Sequence, residues 1–231
     1  MAVPFFFEEN LPLSNDFILS EETSKHVSQV LRMKEGEEIR ITDGNGQTII
    51  AEIVLPDKKR TKVKTIGKEF SESPKSKISI AISLIKNTNR FEWFAEKATE
   101  IGVSAIIPMI CKRSEKTHFR KDRIRSILIS AMLQSQQSWL PELSEPVKFS
   151  ELLKNEQQQQ KFIAHCLPED KKELKEVAIN AHSKIILIGP EGDFTEEEIE
   201  QAIQHNYIPV SLGDTRLRTE TAGIVATVLL Q

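Results

Sequence analysis

From residue 1 to about 70, apolar positions tend to alternate with polar ones, the period of a half-buried strand. "EEIRITDGNGQTIIAEIVL" (37–55) is two such runs around Asp43-Gly44-Asn45-Gly46, a strong hairpin signal. "TKVKTIGKEF" (61–70) follows, keeping the alternation only in part at Val63 and Ile66. One short helix is predicted over 21–32, with Ser20 as its cap and Glu21-Glu22 in the first turn. These elements predict a small β-rich domain over 1–70. "SESPKSK" (71–77), polar and Pro-containing, reads as a linker.

From 78 the rhythm changes. "ISIAISLI" is a continuous apolar strand, and the helix predicted over 89–102 puts Phe91, Phe94, Ala95, Ala98 and Ile101 on one face before Gly102 ends it. Strands follow at "AIIPMI", "KFIAHCL", "KIILIG" and "IPVSLG". Helices are predicted near 119–137, near 171–181, in "EEEIEQAIQHN" and in the closing "RTETAGIVATVLLQ". Continuous apolar strands alternating with helices predict an α/β domain over 78–231, with a parallel sheet covered on both faces. The run "NEQQQQK" (155–161) reads as a surface loop.

Composition changes this picture little. A chain of 231 residues, 39% hydrophobic and 28% charged, suffices for one large or two modest globular domains. No run approaches the ~18 apolar residues of a membrane span. "MAVPFFFEEN" lacks a basic region and a long apolar region, so a cytoplasmic location is expected. Cys111 and Cys166 lie in apolar runs and are expected as buried thiols. The five histidines show no metal-ligand spacing, and no metal site is expected. Net charge is −3, yet "KRSEKTHFRKDRIR" (112–125) and "KKRTKVK" (58–64) are locally basic. Two such clusters in an acidic chain favour a phosphate-bearing partner.

In open α/β sheets, ligands sit at the carboxyl ends of the strands. Three loops of unusual composition are expected there: "HCLPED", "GPEGDF" and "LGDTRLRTE". Thr195 with Glu198 reads as a capping box, which leaves Glu191 to Asp193 in a loop. Thr219 is expected as the cap of the last helix, with Arg218 just outside it. Neither of the common glycine-rich phosphate-binding motifs is present. Glu191 and Asp193 would repel a phosphate-rich cofactor, so one that is neutral or cationic near these loops is expected. A sulfonium such as S-adenosylmethionine meets that requirement, although these residues alone do not select it.

"IGPEGDF" followed by "LGDTRLRTETA" resembles the signature of the RsmE family, SPOUT-class enzymes that methylate nitrogen-3 of a uridine in small-subunit (16S) ribosomal RNA. The likeness extends over nearly the whole chain. His26 with "VLR" (30–32) and the "DGNG" hairpin resemble the family's PUA-like RNA-binding β-barrel domain; "EKATEIGVSAIIP" (96–108) and "RSE" (113–115) resemble its first α/β unit and the loop after it. The resemblance implies a SPOUT-type parallel sheet with a C-terminal trefoil knot, a homodimer, and S-adenosylmethionine as cofactor. The partner it implies is 16S ribosomal RNA or the small ribosomal subunit, with no membrane and no metal. It also implies a cofactor pocket lined by Leu167, Gly189, Gly192, Leu212, Gly213 and Leu217.

On that reading Arg218 stabilises charge on the uracil oxygens, and Glu191 or Glu220 accepts the proton or orients Arg218. His26, Arg32, Lys86, Arg90, Arg113 and Arg123 are the expected RNA contacts. Phe5-Phe6-Phe7 is expected to pack as a strand or dimer contact. The chain departs from the family pattern at Asp193, usually glycine, and at Leu133 and Gln137, where glutamate and arginine are usual. Alternatives are an idle RNA-binding or ribosome-assembly protein, and a SPOUT enzyme acting on another RNA atom.

Overall fold

The structure, a computed structural model, describes residues 3–12, 14–115, 118–168, 171–179 and 181–231. It divides into two compact units, Met1–Ser73 with Met132–Leu140, and Pro74–Ala131 with Pro141–Gln231.

The first unit holds β1 (Phe5–Phe7), β2 (Asp16–Ile18), α1 (Glu21–Lys25), β3 (Glu38–Thr42), β4 (Gln47–Leu55) and β5 (Lys62–Phe70). The strands form a half-barrel in the order β1-β3-β4-β5-β2, with β1 parallel to β3 and the remaining pairs antiparallel. Phe6, Ile39, Ile41, Ile49, Ile53 and Val63 supply its core, so the aromatic run packs as a strand. Ile66, which breaks the alternation, is 47% exposed. The hairpin tip is glycine-rich for two reasons. Gly44 and Gly46 take φ of 74° and 88°, and a Cβ on Gly46 would come within 2.6 Å of Trp139. Trp139 in turn donates from Nε1 to the Ser71 carbonyl at 3.0 Å.

Ser20 caps α1 as expected, its hydroxyl accepting from the Thr23 amide at 3.3 Å. The predicted 21–32 helix does not continue as one α-helix. It passes into a π-helical turn, His26–Val30, and stops at Arg32, whose φ of 53° no continuing helix allows.

The second unit runs β6 (Lys77–Ser83), α2 (Thr88–Ile101), β7 (Ala105–Ile110), α3 (Lys121–Gln134), β8 (Glu142–Leu143), β9 (Val147–Lys148), α4 (Phe149–Asn155), β10 (Gln160–Ala164), β11 (Lys172–Glu173), α5 (Leu174–Val177), β12 (Ser183–Ile188), α6 (Glu196–Gln204), β13 (Ile208–Ser211) and α7 (Thr219–Leu230). Its sheet is parallel throughout, in the order β11-β13-β10-β12-β6-β7-β8, with β9 also on β7. β6 and β12 are buried on both faces, as their unbroken apolar runs predict. α4 and α6 contribute Phe149, Leu152, Leu153, Ile199 and Ala202 to one core cluster, while α7 packs against α2, β6 and β12.

The helix predicted near 171–181 shrinks to four residues, since Leu174 is its only buried side chain and a short helix without a buried face has little to hold it. α4, which the sequence reading passes over, carries its own signal in Phe149, Leu152 and Leu153 at i, i+3 and i+4. No helix among the described residues is long and apolar enough to cross a membrane.

Candidate active site

The loops after β10, β12 and β13 enclose a cleft with two adjoining lobes of about 300 and 390 Å3. Ala164, Cys166, Arg216, Leu217 and Ala222 line both. Gly189, Pro190, Glu191, Asp193 and Arg218 belong to the first lobe, and Lys171, Leu212, Gly213 and Asp214 to the second. The pair of lobes reaches the several hundred Å3 usual for small-molecule sites.

Chain geometry explains the composition of "GPEGDF". A Cβ on Gly189 would sit 3.1 Å from the Phe194 ring and 3.3 Å from its amide, tighter than ordinary contact, so any side chain here would press on the closed loop. The Gly189 carbonyl accepts from Thr219 Oγ1 at 3.0 Å. Asp193 adopts φ 63°, a conformation glycine takes freely and aspartate tolerates. Its carboxylate accepts from its neighbour's amide, Phe194 N, at 2.8 Å and from Cys166 N at 2.8 Å, which ties the turn to the end of β10. The position that departs from the family pattern therefore keeps a glycine-like path and adds a cross-link. On the other side, Arg113 Nη1 donates to the Gly192 and Phe194 carbonyls at 2.7 and 3.2 Å. The Thr195–Glu198 capping box forms as expected, and Glu198 also accepts from the Lys112 amide at 2.8 Å.

The structure brings the expected site residues together unevenly. Gly189, Glu191, Leu217 and Arg218 meet in the first lobe, and Leu212, Gly213 and Leu217 in the second. Arg218 occupies the cap position of α7, while Thr219, expected there, is the first helical residue and spends its hydroxyl on Gly189. Among the described residues neither the Arg218 guanidinium nor the Glu191 carboxylate has a hydrogen-bond or ion-pair partner. Gly192 and Leu167 do not line the cleft: Gly192 offers its carbonyl to Arg113, and Leu167 packs against the core while its carbonyl accepts from Lys171 Nζ. Glu220 does not line it either. It is 6% exposed and lies 3.6 Å from Arg90 Nε.

The cations expected to meet RNA are mostly engaged within the protein. Arg90 pairs with Glu220, Arg113 holds the loop carbonyls, Lys86 pairs with Glu115 at 3.1 Å and Arg123 with Glu92 at 2.9 Å. The Arg123 hydrogen bond holds the Glu92 carboxyl below the usual carboxylate range. His26 and Arg32 are exposed in the first unit, at the two ends of the π-helical turn, where His26 stands edge-on to Phe6.

Several cleft residues escape the sequence reading, Cys166 and Arg216 among them. Cys166 is exposed rather than buried, because β10 ends at Ala164 and the apolar run does not stay in the strand. Partial desolvation, then the Asp193 carboxylate, pushes its thiol up. Arg216 has a weak signal in "RLR", where Leu217 separates two cations. Cys111 is buried as expected, and burial pushes its thiol up to about 12. No group of three or more metal-ligating side chains comes together among the described residues.

A parallel sheet with a cleft formed by three loops at its carboxyl edge, and with a final helix returned over β6 and β12, defines a methyltransferase of the SPOUT type. The RNA methyltransferase domain family matches residues 71–231, and the RNA methyltransferase PUA domain family matches 19–66. The ribosomal RNA small subunit methyltransferase E of Buchnera aphidicola is 30% identical, with 98% of this chain and 91% of that protein covered. The Neisseria gonorrhoeae ribosomal RNA small subunit methyltransferase E bound to S-adenosyl methionine superposes with a TM-score of 0.88 at 29% identity, covering 97% of this chain and 95% of that one. A Legionella pneumophila methyltransferase with bound S-adenosyl methionine gives 0.89 at 30% identity, over 100% of this chain and 98% of that one. The chain belongs to the ribosomal RNA small subunit methyltransferase E family.

Proposed function

We propose that this chain transfers the methyl group of S-adenosylmethionine to nitrogen-3 of a uridine in 16S ribosomal RNA. One observation carries the reading: an unpartnered guanidinium, Arg218, and an unpartnered carboxylate, Glu191, line one lobe of the cleft.

The cleft suits the cofactor on its own geometry. Gly213, with φ 125°, lines the second lobe, and a Cβ there would meet nothing within 4 Å, so the wall is open at that point. Leu212, Leu217 and Ala222 supply apolar surface, and Cys166 and Gly189 line the cleft beside them. S-adenosylmethionine, when bound, supplies a methyl group on positively charged sulfur.

The protein's task is then to make uridine nitrogen-3 nucleophilic. Its proton is about as weakly acidic as a tyrosine hydroxyl, so ionising it at pH 7 costs about 4 kcal/mol. Arg218 offsets part of that cost by facing the negative charge that develops on the uracil oxygens. Glu191, exposed in the same lobe, accepts the proton. Glu220 is assigned the lesser part of holding Arg90 through their ion pair.

Two further parts belong to the same proposal. His26 and Arg32, presented by the π-helical turn, contact the RNA. A homodimer, working in the cytoplasm, covers apolar side chains that α2 and α7 leave open: Trp93 is 45% and Val228 54% exposed. Mass mapping of 16S ribosomal RNA after incubation with protein and methyl-deuterated cofactor tests the reading. The label is expected on nitrogen-3 of one uridine. Label on a ribose or another base would replace the proposed target, and absence of both transfer and cofactor binding would leave an idle RNA binder.

A further inference from the structure

The carboxyl edge of the second unit's sheet holds another cavity, of about 270 Å3, at the end of β6. It shares no lining residue with either lobe of the cleft. Leu84, Phe91 and Ile124 make an apolar floor, each no more than 5% exposed. Phe119, from the segment before α3, closes one side with its ring 5.8 Å from Phe91 at an interplanar angle of 81°.

The rim is polar and unspent. Thr88, His118 and Arg120 all line the cavity; among the described residues none of these side chains has a hydrogen-bond or ion-pair partner, and Arg120 acts on Glu92 only through its charge at longer range. Glu92 and Arg123, by contrast, satisfy each other and form a fixed wall.

We propose that this cavity receives an unstacked base of the RNA other than the one that is methylated; the inference rests on the proposed function. An apolar slot flanked by an aromatic ring accepts a planar base by stacking and exclusion of water. The free Thr88 hydroxyl meets the polar edge of that base, and His118 and Arg120 meet the phosphate that must accompany it. A purely apolar occupant would make no use of these three groups, of which His118 and Arg120 are exposed and Thr88 half-buried. The slot is also separate from the cleft that faces the reacting base, so it reads sequence context rather than the target.

Two measurements on the full chain test this. In steady-state assays, Phe119→Ala raises KM for 16S ribosomal RNA roughly fivefold to a hundredfold, while kcat and the calorimetric Kd for S-adenosylmethionine stay within about twofold. Phe119→Tyr, which keeps the ring, restores KM. An unchanged KM in Phe119→Ala, or a parallel loss of cofactor affinity, overturns the proposal. Independently of catalysis, photocrosslinking to 5-iodouridine-substituted 16S ribosomal RNA is expected at the peptide carrying His118 to Arg123. Crosslinks confined to other peptides also overturn it. Crosslinks here without methyl transfer would uphold the slot and refute the proposed activity.

Discussion

The Thr219 hydroxyl donates to the Gly189 carbonyl at 3.0 Å, joining the turn after β12 to the first residue of α7. Both groups are buried, so neither finds water when the other is removed. Thr219→Val therefore costs about 1–3 kcal/mol in denaturant unfolding and weakens calorimetric binding of S-adenosylmethionine. Thr219→Ser, which retains the hydroxyl, recovers most of both. Cofactor binding unchanged in the valine variant would show that this tie does not shape the cleft.

Asp193 combines a left-handed backbone with two hydrogen bonds from its carboxylate, and substitutions separate the two features. Asn tolerates the same φ, but its single carboxamide oxygen can accept only one of the two bonds, so Asp193→Asn should weaken cofactor binding modestly. Asp193→Gly relieves the backbone but loses both bonds, and Asp193→Ala loses the bonds while keeping the strain. The expected order of cofactor affinity is Asn, then Gly, then Ala. Equal affinity in the glycine variant and the wild type would make the cross-link to Cys166 idle.

The two thiols should differ in reactivity. Cys111 is buried, and burial pushes its thiol up to about 12, so it resists iodoacetamide in the folded protein. Cys166 is exposed in the cleft, its thiol pushed up first by partial desolvation and then by the Asp193 carboxylate. Alkylation at pH 8 should fall on Cys166 and slow when S-adenosylmethionine is added. Asp193→Asn removes a charge that opposes the thiolate and should speed it. Alkylation mainly at Cys111 would contradict the burial of β7's end.

The strands and most helices were legible because each apolar run has a single period that burial then satisfies. "ISIAISLI" and "KIILIG" became the central pair β6 and β12, and the face predicted from Phe91 to Ala98 is buried in α2. Gly189, Glu191 and Arg218 were found through motif resemblance, and the structure gathers them in one lobe. Side-chain partners were not legible. Nothing in the spacing of Arg113 or Glu220 says that one would clamp loop carbonyls 79 positions later, or that the other would turn to Arg90. Such pairings depend on long-range chain crossings that local pattern does not encode. The π-helical turn and the short α5 escape local pattern for a related reason, since backbone strain and missing burial decide them.

The Glu92–Arg123 pair gives a pH signature. The folded-state Glu92 carboxyl sits below its ordinary value because Arg123 bonds the ionised form. Its contribution to stability is thus fully present above the unfolded value near 4.5 and is lost as pH falls through the lower folded value. The melting-temperature gap between wild type and Glu92→Gln should be clear at pH 7 and shrink toward pH 3. A gap independent of pH would mean that packing, rather than the ion pair, sets the effect of this substitution.

Arg218 carries the chemical claim, and single-turnover methyl transfer to 16S ribosomal RNA by Arg218→Gln, paired with cofactor calorimetry, tests it most directly. The transfer rate should fall roughly a hundredfold to a thousandfold, the range for removing a group that stabilises developing negative charge, with the cofactor Kd nearly unchanged. A variant that transfers methyl at the wild-type rate, or that loses cofactor affinity in step with rate, would contradict the assignment.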